Sequence, residues 1–404
     1  MNTIARVCLP LLLVSFLLTG CWFDDDDDDD EKEPYTILVY MAADNTLDGD
    51  VTYSLGQLRS GLTSKGAVVV YLDRDNQAPR LFKLTAGGNE NDLKVYEEEN
   101  SANAATLSQV IADTKKLVPS VKFGLVIWGH SMGWVPEDYQ FPTRASSLSA
   151  GRQFPRTRYI SIDDDPGSGA STYMEITDAA AALPASTAEF ILFDVCLMAS
   201  VEALYEIRHA CDYVIAAPTE VLAEPDYKAS GMPYAKILPY LYEGETGFKK
   251  ACQAYYEYYR DLTYNGTDLN EDQAEQIRSA TISLIDMREL DNLYAVTSGI
   301  LQGKLAEAGV LDVSGFQVYH TAFIPQVFFD MGDVVAALSN DAQYLSFQAQ
   351  LSKTVLSKFA TDKFVTIPID PNHFSGLSMY VPLAKWSANN EYGYYQSLDW
   401  FSVY

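Results

Sequence analysis

From residue 36 onward, apolar runs of strand length alternate with stretches of helical period. Positions 36–42, 67–72, 123–128, 189–195 and 212–217 are near-continuous apolar runs, the pattern of strands buried on both faces. The intervening 50–62, 103–117, 174–183 and 201–210 repeat apolar residues every three or four positions. In 103–117 the stripe is Leu107, Val110, Ile111 and Leu117. Segments 80–85 and 93–96 suggest a short hairpin. Strands that alternate with helices in this way predict an α/β fold, a mostly parallel sheet with helices on both faces.

Past residue 232 the pattern changes. Helical periods cover 234–242, 246–264, 289–308 and 342–361, with strands at 280–285 and 376–382. Tyr255, Tyr256, Tyr258 and Tyr259 recur at helical spacing and read as core. The chain shows no internal repeat and no long linker. It divides into a sheet domain at 35–235 and a C-terminal α/β portion at 236–404 packed on it.

The first 34 residues stand outside this pattern. Arg6 precedes an apolar stretch at 7–18 that is too short to span a bilayer comfortably. Leu18-Thr19-Gly20-Cys21 then resembles a bacterial lipobox, with residues 1–20 as a removable signal and Cys21 as the lipid-bearing residue. Asp24 to Asp30 is an unbroken acidic run. Its self-repulsion makes 21–34 an extended tether. The expected location is the cell envelope of a Gram-negative-type bacterium, on the outer membrane. The acidic run is either a plain spacer or a signal for surface exposure. The lipid would be the only membrane contact.

Charge and cysteine content narrow the chemistry. The net charge is −27, still about −20 without the seven-residue Asp run. No basic stripe exists to neutralise phosphates, which argues against a nucleic-acid partner. Of five cysteines, Cys8 leaves with the signal and Cys21 is the anchor. Cys196, Cys211 and Cys252 cannot all pair, so at least one thiol is free and must be buried or used. Whether Cys211 and Cys252 are bridged is left open by the sequence.

Reactive groups in parallel sheets gather at the C-terminal ends of strands. His130 follows the 123–128 strand and Cys196 follows the 189–195 strand. If those strands are neighbours, the two side chains meet although 66 residues separate them. An imidazole beside a thiol takes its proton or raises its thiolate fraction. A helix starting behind Cys196 would add its dipole and backbone N–H groups for an oxyanion. The plainer reading is a buried structural Cys and a hydrogen-bonded core His. A rival nucleophile is Ser131, in Gly129-His130-Ser131-Met132-Gly133, which fits the serine-hydrolase elbow G-x-S-x-G. That elbow needs a helix behind the serine, whereas Pro136, Pro142 and Pro155 mark a long loop.

Two boxes, Ile127-Trp-Gly-His-Ser-Met-Gly-Trp134 and Phe193-Asp-Val-Cys-Leu-Met198, resemble the His and Cys boxes of the clostripain family of cysteine peptidases. Segments 40–48, 211–220 and 376–382 agree with them, and the resemblance runs over about 35–382, with Glu202 after the Cys box. It implies a caspase-like fold, a His130–Cys196 dyad and a polypeptide substrate cut after Arg or Lys. It further implies an oxyanion site from the backbone N–H groups of Ser131 and Cys196, and Asp194 near the substrate pocket. A pocket acid is expected around 224–234, where Glu224 and Asp226 are the candidates. Family members are often activated by a cut between His and Cys. Arg144, Arg152, Arg156 and Arg158 supply basic sites there, or else pair with Asp163, Asp164 and Asp165. No cofactor or metal site is implied, although some members need calcium and the same Asp cluster could bind it. Ser131 departs from the Gly that the family usually carries after the His. That departure gives weight to a catalytically inactive lipoprotein acting as a binding module.

Overall fold

The computed structural model describes residues 32–85, 87–97, 99–136, 162–164, 171–224, 229–262, 271–321 and 325–404. Each apolar run listed above becomes a strand: β1 (Glu33–Ala43), β2 (Ala67–Arg74), β5 (Ser120–Trp128), β6 (Ala188–Asp194) and β7 (Cys211–Ala216). The hairpin adds β3 (Gln77–Leu84) and β4 (Glu90–Val95), and the C-terminal portion adds β8 (Thr281–Asp286) and β9 (Val355–Ala360). All nine form one sheet in the order β9-β8-β7-β6-β5-β1-β2-β3-β4. The central strands β7, β6, β5, β1 and β2 run parallel, while β3, β4, β8 and β9 are antiparallel additions at the two edges. This is the mostly parallel sheet that the pattern predicts, and it agrees with the caspase-like fold that the resemblance implies.

Helices cover both faces. On one, α1 (Val51–Gly61) packs against the Tyr234–Ile237 turn, which meets α5 (Gly244–Arg260) lying on β8 and β9. On the other lie α2 (Ala104–Leu117), α3 (Ile176–Ala182), α4 (Val201–Glu206), α6 (Leu290–Leu301) and α7 (Asp341–Thr354). The periodic residues explain the docking. Leu107, Val110 and Ile111 are buried as expected and Thr114 joins them, whereas Leu117, expected in the stripe, is exposed at the end of α2; the Asn103 side chain caps the helix by accepting the Ala105 N–H. Such a cap contributes about 1 kcal/mol. Each fully buried Leu or Val adds roughly 1.5–3 kcal/mol.

Two expectations fail in the C-terminal portion. The helical period over 342–361 breaks: α7 ends at Thr354 and Val355–Ala360 is strand β9. Local periodicity does not register that β8 has an open edge, and pairing with it satisfies backbone groups that a longer helix would leave unmatched. The expected strand at 376–382 shrinks to Ser378–Met379, paired with Phe329–Asp330. The segment also clamps the loops that follow β5 and β6. Ser378 N–H donates to the Ala199 carbonyl at 2.8 Å, and Tyr380 N–H donates to Glu202 Oε1 at 2.7 Å. Tyr380 also packs at 5.1 Å from the Trp134 ring, with Tyr395 at 5.5 Å. The chain from Lys32 to Tyr404 is thus one unit, and the loops that follow β5 and β6 are held from behind by its last hundred residues.

Candidate active site

Strands β5 and β6 are parallel neighbours, and Trp128 lies opposite Asp194 at their last paired position. Two residues further along each chain come His130 and Cys196. Both side chains line one cavity of about 30 Å³ with Leu47, Asp50, Asp194, Val221 and Gly231. Equal offsets from one register point are what bring a histidine and a cysteine 66 positions apart to a shared site.

Cys196 is 6% exposed. Its sulfur accepts the Val221 N–H at 3.3 Å and lies 3.8 Å from the Val221 carbonyl. The segment after β7 is tied to the Cys196 loop, because Leu197 N–H donates to the Thr219 carbonyl and Ala199 N–H to that of Ala217. Leu197 takes φ +63°, a left-handed conformation that is uncommon and strained for a branched side chain. Gly133 in the histidine loop also has a left-handed φ, +61°. A Cβ there would lie 2.6 Å from the Leu197 carbonyl oxygen, so the two loops fit only with glycine.

Burial, and next the charge of Glu220, push the Cys196 thiol well above its ordinary value, against the Val221 N–H. Burial pulls His130 down to about 4, with the charge of Asp164 opposing. Both groups are therefore neutral at pH 7. His130 Nε2 is 2.8 Å from Thr46 Oγ1. The helix expected behind Cys196 is α4, which starts at Val201 and is capped by the Ser200 side chain accepting the Ala203 N–H.

Ser131 does not resemble a nucleophile. It is fully buried, and its Oγ accepts the Gly133 N–H at 2.9 Å and lies 3.2 Å from Met198 Sδ. Among the described residues, no helix starts between 132 and 136, directly behind it, as an elbow requires. Ser131 is also not among the described residues with positive φ, so this backbone does not require glycine after the His.

Asp194 lines the same cavity. It is buried, accepts the Met232 N–H at 3.0 Å and the Tyr234 hydroxyl at 2.7 Å, and Gly231 lies directly against it. Burial raises its carboxyl to about 6, the Tyr234 and Met232 donors oppose that, and the charge of Asp50 adds to it. Asp50 lines the same cavity. Of the two loop acids named from sequence, Asp226 lies outside the described residues, and Glu224 is described only as part of the short strand Ala223–Glu224 paired with Ala229–Ser230. Glu220 pairs with His320 Nε2 at 3.2 Å beside the site.

Cys21, Arg144, Arg152, Arg156, Arg158 and Asp165 lie outside the described residues. Asp163 holds the Ser101 N–H and hydroxyl on one oxygen, and Asp164 bonds the Ser171 hydroxyl. Among the described residues, no group of three or more His, Cys, Asp or Glu could hold a metal. Cys211 and Cys252 are both free and buried, so they are not bridged. Sequence reasoning missed Thr46, Asp50, Glu220 and Val221. Thr46 and Glu220 sit inside the segments 40–48 and 211–220 already singled out, and the hydroxyl and carboxylate there were the available signal.

A sequence model of Peptidase C11, described as the clostripain family, matches residues 39–400. Among solved structures, the chain resembles an inactive zymogen C11 protease from Parabacteroides distasonis at 29% identity and TM-score 0.72, covering 92% of this chain and 99% of that one. It also resembles a secreted C11 cysteine protease from Bacteroides thetaiotaomicron, solved with an irreversible peptide inhibitor. There the identity is 24% and the TM-score 0.71, covering 91% of this chain and 98% of that one. A second structure of a secreted C11 cysteine protease from that organism matches at 24% identity and TM-score 0.66, covering 90% and 99%. No curated protein matches.

Proposed function

Because the chain belongs to the clostripain family of cysteine peptidases, we propose that Cys196 is its nucleophile and His130 the partner that moves the proton. The observation that carries this is the common cavity two residues beyond the Trp128–Asp194 register point. The thiol gives its proton to His130, and the thiolate attacks the peptide carbonyl. His130 then protonates the leaving amine, and water hydrolyses the acyl-enzyme. The backbone N–H groups of Cys196 and Ser131 are the proposed oxyanion donors.

The substrate is a polypeptide with Arg or Lys before the scissile bond. Supporting this are two buried carboxylates, Asp194 and Asp50, on the cavity wall beside the sulfur. A guanidinium or ammonium entering there would meet two carboxylates in a water-poor site, where opposite charges attract strongly. Asp226 and Glu224 belong to the same proposal as outer pocket acids.

The buried thiol and the two neutral partners suit a precursor more than a working enzyme. The proposed activation is self-cleavage after Arg144, Arg152, Arg156 or Arg158, which frees the His–Cys interval and lets the Val221 segment withdraw. The proposed setting is the bacterial cell envelope, with lipid on Cys21. No helix among the described residues is long and apolar enough to cross a membrane.

Biotinylated peptidyl acyloxymethylketones carrying Lys, Leu or Asp next to the warhead test the assignment. Labelling of the wild type by the Lys probe, lost in Cys196→Ala, is expected. Equal labelling of Cys196→Ala defeats the nucleophile, and preference for Leu or Asp defeats the basic pocket. Intact-mass measurement of wild type and Cys196→Ala tests processing: a wild-type chain that stays whole while active defeats self-cleavage.

A further inference from the structure

We propose that Thr46 is a positioning residue for His130: its hydroxyl accepts from the Nε2–H of the imidazole and leaves Nδ1 free to receive the Cys196 proton. The proposal deepens the dyad reading above and rests on it. Its basis is geometric. Thr46 Oγ1 stands 2.8 Å from His130 Nε2, within hydrogen-bond distance of the ring. A neutral imidazole carries one proton, so fixing it on Nε2 decides which nitrogen is the base. On taking the thiol proton at Nδ1 the ring becomes a double donor, and the Thr46 oxygen still accepts from Nε2. One contact therefore serves both protonation states without the ring turning.

The local chain explains how a short side chain reaches the ring. Thr46 lies just past β1, in a turn closed by Asn45. The Asn45 side chain accepts the Leu47 N–H and donates to the Ala42 carbonyl, each at 2.9 Å. β1 is the direct parallel neighbour of β5, so the turn after β1 and the His130 loop leave the sheet at the same end. Asp48, next along, is anchored by Arg74. The turn is fixed on both sides of Thr46, and the hydroxyl is held toward the ring rather than left to find it. Thr46 is itself exposed, so replacing it opens no cavity in the core.

The test compares wild type, Thr46→Val and Thr46→Ser in the full mature chain, with His130→Ala and Cys196→Ala beside them. Fluorescein-labelled casein is the substrate, so that no assumption about the residue before the cut enters. Expected is a fall of about 10- to 100-fold in turnover for Thr46→Val, recovery to near the wild-type rate in Thr46→Ser, and unchanged melting temperatures for both. The acid limb of the pH–rate profile moves in Thr46→Val and not in Thr46→Ser. In a Cys196→Ala background labelled with ¹⁵N-histidine, the His130 signals report an Nε2–H tautomer, and this population falls on adding Thr46→Val. Thr46→Val at the wild-type rate and pH profile, beside inactive His130→Ala and Cys196→Ala, overturns the role of Thr46 alone. Full activity in His130→Ala overturns the dyad reading and this role with it.

Discussion

The backbone N–H of Val221 points at the sulfur of Cys196 from 3.3 Å, and the residue before it, Glu220, adds negative charge to the same surroundings. A strand-end segment that caps the thiol and a carboxylate that disfavours its ionisation act in the same direction. The Val221 N–H opposes them weakly, because burial is the largest influence on the thiol.

Removing the charge alone should therefore speed alkylation. Glu220→Gln is expected to raise the rate at which iodoacetamide modifies Cys196 between pH 7 and 9 by roughly 3- to 10-fold, since one unit of pKa is tenfold in thiolate. Peptide mapping of the modified cysteine checks it. A rate equal to wild type across that range would show that Glu220 does not govern the thiol.

The Asp194 carboxyl, raised to about 6 by burial, predicts a pH dependence of specificity. Protonation below that value removes the charge proposed to hold a basic side chain. The kcat/KM for Arg or Lys peptides should then fall as pH drops through about 6. Asp194→Asn should lower kcat/KM for those peptides by about 100-fold or more at pH 7.5 while keeping an acceptor for the Met232 N–H. A series of fluorogenic peptides differing only in the residue before the cut decides this. An unchanged Arg-to-Leu ratio in the variant would remove Asp194 from the pocket.

Glu202 carries a different pH effect, on stability. Its Oε1 accepts the Tyr380 N–H, its Oε2 has no hydrogen-bond partner among the described residues, and burial raises its carboxyl to about 8. The folded state holds a proton that the unfolded chain releases near its ordinary value of 4.5. Its contribution is therefore fully present below pH 4.5 and is lost as pH rises through about 8. Glu202→Gln keeps the acceptor and removes the titration. The variant should match or exceed wild type in melting temperature above pH 7, with a gain on the order of a few kcal/mol by pH 9. Parallel thermal curves between pH 4.5 and 9 would contradict this.

For Ser131, the buried hydroxyl serves the loop and not the reaction. Ser131→Ala should keep casein hydrolysis within a few-fold of wild type. It should lower stability by about 1 kcal/mol, because the Gly133 N–H loses its acceptor. Complete loss of turnover with an unchanged melting temperature would reopen the serine mechanism.

Much of this architecture could be read before any coordinates. Apolar runs such as 36–42 and 123–128 read as strands covered on both faces, and the strand-end positions of His130 and Cys196 singled them out among four histidines and the three cysteines beyond residue 34. Those properties are local, because burial on both faces is written into consecutive residues. The tertiary structure alone decided the rest. It paired Trp128 with Asp194, turned 355–360 from the end of a helix into the edge strand β9, laid Val221 on the sulfur and set Asp50 beside Asp194. Each of these joins residues far apart in the chain. Register, edge pairing and the approach of one loop to another depend on what remains unpaired elsewhere in the sheet, and no window along the sequence contains that.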